Sequence, residues 1–317
     1  MNEIVLRAPR LDEVAGLCTL TNRSHTHDGV QQVLDEAELT EELGTLDVER
    51  DARVAELGGR IAGYAYIWFK PAGERLERAH IFGTVDPKSR GGGVGRTLLR
   101  WGTERATELL RTADPALPKY VRVEVYEQID DARRLVQRLG FAPARWFEEL
   151  LRPLDELPVL DVDEGYEIAS WPEGRDDEVL AVRNEAFADH WGSTPWTADR
   201  FREIAGSYGT RLDVSVVAID RSSGDVVGVC LNEHYPQDVA VLGRSDGWIS
   251  VLGTRAAHRG RGLASAMLNA SLHRFAGAGF THASIGVGAA SPTGANLLYR
   301  RLGFDLEHRH ITYQIEL

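Results

Sequence analysis

Apolar positions along the chain fall into short alternating runs and longer stretches with helical spacing, and the order of the two kinds repeats once. A strand-like run, Ala79-His80-Ile81-Phe82-Gly83-Thr84-Val85, leads into Asp86-Pro87-Lys88-Ser89-Arg90-Gly91-Gly92-Gly93-Val94-Gly95. Later, Trp248-Ile249-Ser250-Val251-Leu252-Gly253-Thr254 leads into Arg255-Ala256-Ala257-His258-Arg259-Gly260-Arg261-Gly262-Leu263-Ala264. Leu99, Gly102, Ala106 and Leu109 after the first turn, and Ala264, Leu268, Leu272 and Phe275 after the second, are spaced by three and four residues. That spacing places them on one face of a helix. Each helix is followed by a β-rich run, at residues 120–125 and 283–287, and by a second predicted helix ending in Leu139-Gly140-Phe141 or Leu302-Gly303-Phe304. A glycine there fits a helix C-cap leading into a strand.

The front parts keep the same order. Residues 11–23 and 176–187 predict helices containing Asn22 and Asn184, and hairpins are predicted at 53–68 and 214–231, with turns at Gly58-Gly59 and Ser223-Gly224-Asp225. The proline- and acid-rich stretch from Arg152 to Gly165 predicts a linker. Duplication of one α/β (α+β) domain is the economical reading: 1–152, a linker at 153–165, and 166–317.

Composition narrows the class. With 317 residues, 43% hydrophobic, 26% charged and two cysteines, the chain is neither low-complexity nor a disulfide scaffold. The N-terminus lacks a basic head followed by an apolar stretch, and no run approaches the ~18–20 apolar residues of a membrane span. A cytoplasmic protein without membrane association is therefore expected. A net charge of −12 argues against a nucleic-acid partner, which requires a basic face, but leaves room for a local anion pocket. A monomer or homodimer is expected.

A strand running into Arg-x-x-Gly-x-Gly/Ala and then a helix has a specific use. The glycines let consecutive N–H groups converge at a helix N-terminus, where the positive end of the dipole favours a phosphate or pyrophosphate. The alternative is a tight turn whose glycines only relieve strain, and two copies in the same context weigh against it. The nucleotide-loop lysine and the full dinucleotide fingerprint are both missing.

At these residues the chain resembles the GNAT superfamily of acyl-CoA-dependent N-acyltransferases, as tandem copies over 79–141 and 248–304 with weaker matching in front of each. The resemblance implies, in each domain, a mixed, mostly antiparallel sheet flanked by helices, and acetyl-CoA (coenzyme A) as acyl donor. Carried over, Arg259, Gly260, Arg261, Gly262, Leu263 and Ala264 would hold the pyrophosphate and Leu252, Gly253 and Thr254 the pantetheine arm, where the strand splays from its neighbour. In the first copy the corresponding positions are Val85, Arg90, Gly91, Gly92, Gly93, Val94 and Gly95. Tyr299 would protonate the departing thiolate, since a phenol of pKa about 10 is a competent donor to a thiolate of pKa about 8.5.

The copies are not equivalent, because Val136 stands where Tyr299 stands in the second. The second domain is therefore expected to be the catalyst, acting on a primary amine of a small molecule. Tandem chains of this kind include the mycothiol synthase group, which the resemblance implies carries a glutamate base early in the strand before the loop; this chain has Trp248 there, and Ser291 where an asparagine is often found. Asp246 and Glu233 are the alternative candidate bases, with His234 beside the latter. Asp189, His190 and Trp191, after the first helix of the second copy, are candidate substrate contacts. Cys230, in an apolar run, reads as a buried thiol, and no metal site is predicted, His25-x-His27-Asp28 included. Two further readings are an antibiotic-modifying acetyltransferase and, from a different class, a non-catalytic CoA-binding or interaction protein.

Overall fold

The structure, a computed structural model, describes residues 3–71, 74–191, 193–289 and 295–317. The chain divides into two units, one of residues 1–147 with 309–317, the other of residues 148–308.

In the first unit the order is β1 (Ile4–Arg7), α1 (Val14–Asp28), α2 (Glu36–Gly44), α3 (Val48–Asp51), β2 (Ala52–Leu57), β3 (Arg60–Trp68), β4 (Glu77–Val85), α4 (Val94–Arg111), β5 (Lys119–Tyr126), α5 (Asp130–Arg138) and the start of β6 (Ala142–Pro153). The predicted helix at 11–23 opens with a 3-10 turn, Leu11–Glu13, and runs on to Asp28, where Gly29 stops it at φ +69°. Strands β1 to β4 pair antiparallel in sequence order. β4 and β5 pair parallel over Glu77–His80 and Lys119–Arg122, and the pairing ends there although both strands continue. Alternation then separates two faces. Ala65, Ile67, Ala79, Ile81, Val121 and Val125 meet Leu98, Ala106 and Leu110 of α4. Tyr64, Tyr66 and Val54 meet Leu17, Leu39 and Leu43 of α1 and α2 on the other face.

The second unit repeats this plan with β7 (Tyr166–Ser170), α6 (Asp176–Ala186), α7 (Ala198–Ala205), β8 (Val216–Asp220), β9 (Val226–Glu233), the short α8 (Val239–Leu242), β10 (Asp246–Thr254), α9 (Leu263–Gly277), β11 (His282–Gly288), α10 (Ala295–Arg301) and the start of β12 (Asp305–Glu316), up to His308. β7 to β10 pair antiparallel. β10 and β11 pair parallel only over Asp246–Ile249 and His282–Ile285. One core lies under α9 and α10, with Ile249, Met267, Leu268, Leu272, Phe275, Ile285 and Phe304; the other lies under α6 and α7, with Val179, Val182, Phe201, Val229 and Val251. The close approach of α9 fixes Gly247, where a Cβ would lie 2.6 Å from the Phe275 ring.

Sequence order and compact units part at the ends. The expected domains were contiguous, but residues 309–317 belong to the first unit, where His310–Glu316 of β12 pairs antiparallel with Tyr126–Tyr120 of β5 and Ile311, Tyr313 and Ile315 complete the α4-side core. Residues 148–153 of β6 belong to the second unit, beside β11, with Leu150 in its core. Both strands have the alternation a sheet edge needs, so their pattern says nothing about which edge each joins. The expected linker holds no helix or strand beyond Pro153, yet it is pinned to α9. Asn269 Nδ2 donates to Val159 O and the His273 ring to Pro158 O. Among the described residues no helix is long and apolar enough to cross a membrane.

Candidate active site

The C-terminal end of β10 runs into a 3-10 turn, Ala256–His258, and then into the glycine turn before α9. Gly260 and Gly262 have φ of +77° and +76°, a region that L side chains avoid, and a Cβ at either would point into open space. The first bond into α9 is from the Ala266 amide to Gly262 O. The amides from Gly260 to Ser265 have no acceptor among the described residues, so they and the helix dipole face one hollow. Thr254, His258, Arg259, Gly260, Gly262, Leu263, Ala264 and Ser265 line it. Thr254 is buried there, and its hydroxyl has no partner. Convergent amides, a buried unpaired hydroxyl and the space left by missing Cβ atoms fit a pyrophosphate.

Among the described residues Arg259 donates only to uncharged carbonyls, from Nη2 to Ala186 O at 3.1 Å and from Nε to Thr254 O at 3.3 Å, so its charge stays available to an anion. Arg261 lies over the Tyr166 ring at 5.8 Å, and the Tyr166 hydroxyl meets His258 Nδ1 at 3.0 Å. Glu185 of α6 accepts from the Ala256 amide and faces Arg255. The end of α6 also closes on β10, where a Cβ at Gly253 would strike Ala186 Cβ at 2.7 Å and the Phe187 ring at 3.0 Å. Gly253 is thus required by packing, whatever else it does.

The matching turn of the first unit has the same backbone. Gly91 and Gly93 have φ of +78° and +94°, and the Thr97 amide bonds to Gly93 O. Its arginine differs. Arg90 closes bidentately on Asp28 of α1, at 2.6 Å in each bond, and reaches Ser24 Oγ at 2.7 Å. A carboxylate already neutralises this guanidinium. Val85 ends β4 half-buried, packed on the α4-side core. Val136 is buried in that core, where Tyr299 sits in its counterpart.

Tyr299 lies in α10, buried in the α9-side core with Leu263 and Phe304, and Leu252 packs on the same cluster. Burial, with the nearby Cys230, holds its hydroxyl above the ordinary phenol value, so it stays protonated through the neutral range. Ser291 and its neighbours, and Gly192, lie outside the described residues. Cys230 is fully buried, its thiol pushed up to about 12 and placed 3.2 Å from Ser271 Oγ. A thiol so far above neutrality is no nucleophile.

The two candidate bases stand apart. Asp246, at the start of β10, takes both oxygens to Arg244 Nε at 3.0 Å, and Arg244 also binds Glu307. Glu233, at the end of β9, lies directly opposite Trp248 of β10. It hydrogen-bonds Ser250 and accepts from the Tyr235 hydroxyl at 3.1 Å. Burial pushes its carboxyl above the ordinary value, and those two bonds work against the rise. Ser250 forms a bulge in β10 and is the first residue beyond the stretch paired with β11. Glu233 therefore sits where the strands part, and Asp246 at the closed end. The pairing is set by register, so neither Ser250 nor Tyr235 carried a signal in the sequence.

Asp189 and His190 are exposed and Trp191 half-buried in the turn after α6, with the His190 ring 5.4 Å from Phe187. That segment is braced from behind by Arg183, whose guanidinium lies 3.9 Å over the Trp196 ring and donates to Thr194 O. The structure brings the end of α6, the end of β10 and the glycine turn together. Glu233 and Trp248 occupy the opposite end of the splayed stretch.

Comparison with known proteins gives a consistent result. The acetyltransferase (GNAT) family profile matches residues 176–304, and an acetyltransferase (GNAT) domain profile matches 49–143. A protein named mycothiol acetyltransferase from Mycolicibacterium vanbaalenii is 27% identical over 312 residues, 96% of this chain and 95% of its own. Another so named, from Thermomonospora curvata, is 28% identical over 98% of this chain and 95% of its own. Among solved structures, a GCN5-related N-acetyltransferase from Sphaerobacter thermophilus superposes with a TM-score of 0.80 at 26% identity, covering 99% of this chain and 95% of its own. A tandem GNAT protein from the clavulanic acid biosynthesis pathway shares the fold, with a TM-score of 0.72 at 15% identity over 99% and 98% of the two chains.

Proposed function

Because the chain is a tandem GNAT acetyltransferase, with one such domain in each half, we propose that its second unit moves an acetyl group from acetyl-CoA to a primary amine of a small molecule. The observation that carries this reading is the difference between the two glycine turns. Among the described residues Arg259 faces only neutral carbonyls, whereas Arg90 is taken up by Asp28.

The amides from Gly260 to Ser265, with Arg259 and Arg261, grip the pyrophosphate, and the unpaired edge of β10 from Val251 to Thr254 lines the pantetheine arm. Acetyl-CoA supplies a thioester carbonyl that an uncharged amine attacks. Glu233, which accepts from Tyr235, takes the ammonium proton; burial raises its pKa and makes it a stronger base than an exposed carboxylate. Tyr299 holds the proton that the thiolate needs. The first unit lacks that hydroxyl at Val136 and serves as a structural partner.

Tyr299→Phe tests the assignment. Turnover measured by thiol release is expected to fall at least 10²-fold with acetyl-CoA affinity little changed, and an unaltered kcat would remove Tyr299 from the reaction. Relatives named mycothiol acetyltransferase that match nearly the whole chain favour a second reading, in which the acceptor is a mycothiol precursor, the pseudo-disaccharide thiol amine that the resemblance to the mycothiol synthase group implies. Turnover on that precursor tests it directly.

A further inference from the structure

We infer that the acceptor amine is carried on a flat apolar ring, which stacks on Trp248 while its nitrogen faces Glu233; this deepens the acetyl-transfer reading and rests on it. Three observations point to it. Trp248 and Glu233 are directly paired across β10 and β9, so their side chains leave the same face of the sheet. That face is turned away from α9, because the flanking Gly247 and Ile249 are the residues that meet Phe275 and the α9-side core.

The indole leans across β11. A Cβ built on Gly286 would lie 3.3 and 3.4 Å from Cζ2 and Cη2 of Trp248, so the six-membered ring covers Gly286. Gly286 is exposed and is the first residue of β11 past the parallel pairing, which ends at Ile249 and Ile285. Trp248 therefore walls the wedge in which the strands part. A side chain at 286 would displace the ring, and glycine lets it lie flat.

The polar groups of the wedge are largely committed to one another. Tyr235 donates to Glu233, and the Ser250 hydroxyl donates to Leu231 O. Beside them stand a carboxylate, which attracts an ammonium group, and an indole, whose face takes an aromatic ring or a cation.

The test uses the full chain, acetyl-CoA and thiol release, with 2-phenylethylamine, butylamine, glucosamine and the pseudo-disaccharide thiol precursor as acceptors. The expected result is a kcat/KM for 2-phenylethylamine at least tenfold above that for each of the others. Trp248→Ala should lower the value for 2-phenylethylamine tenfold more than the value for butylamine, mainly through KM, and Trp248→Phe should restore most of it. Preference for glucosamine or the precursor overturns the ring preference and leaves acetyl transfer standing. Equal losses on all amines in Trp248→Ala do the same. Acetyl-CoA binding, followed by calorimetry for each variant, separates misfolding from loss of the wall, and absence of binding in the unaltered chain overturns both proposals.

Discussion

Glu233 shows how much a single side chain gains from its neighbours in register. Its carboxyl titrates above the ordinary value because burial penalises the charge more than Ser250 and Tyr235 favour it. The base form therefore fills later on the pH scale than for an exposed glutamate, and kcat/KM should rise with pH along a limb whose apparent pKa lies above 4.5. In Glu233→Gln that limb should vanish and kcat/KM fall roughly 10²-fold; a variant that keeps the limb would transfer the role to another group. The stability sign is the opposite. A raised folded pKa means the folded chain binds more protons than the unfolded one across that window, so this group makes stability fall as pH rises through it. The sequence offered Glu233 as one acid among several, since only the pairing with Trp248 sets it at the apex of the wedge, where the strands begin to part. Asn22 and Asn184 were visible as a matched pair without a reason. Each closes a reciprocal bond with the backbone twelve residues on, Asn22 with Leu34 and Asn184 with Trp196, tying the following loop to its helix.

The glycine turns were the most legible elements, because positive φ and helix N-termini leave a residue-type signature at fixed spacing. Their difference in charge was hidden, since Asp28 reaches Arg90 from a helix sixty-two residues earlier in the chain. Gly262→Val forces a β-branched residue to φ +76° and fills the hollow before α9. Acetyl-CoA affinity should drop at least tenfold, and the backbone strain should cost about 1–2 kcal/mol of stability. The same change at Gly93 should leave acetyl-CoA affinity within about twofold, because that turn has already spent its arginine; calorimetry on both variants checks the contrast. A comparable loss at Gly93 would show that the first turn also binds the donor.

At the scale of the molecule, duplication was readable and the path of the chain through its two units was not. β6 and β12 have the same alternation, so pattern alone assigned each to the domain that precedes it in sequence. The structure instead gives residues 309–317 to the first unit. Truncation after His308, more than three hundred residues from the chain's start, should therefore unfold the N-terminal unit by exposing the edge of β5 and removing Ile311, Tyr313 and Ile315 from its core. Limited proteolysis should then cut within residues 52–126 and spare 166–288. Cleavage confined to the second unit would contradict the arrangement.

The same strand sets an order of events during synthesis. Arg122 of β5 and its partner Gln314 are 192 residues apart, so at about 5–20 residues per second the ribosome needs roughly 10–40 s to deliver the missing edge. Throughout that interval β5 presents open N–H and C=O groups to any other nascent chain. The half made first is completed last, and the unit that carries Glu233 and Tyr299 has all its strands before its neighbour does.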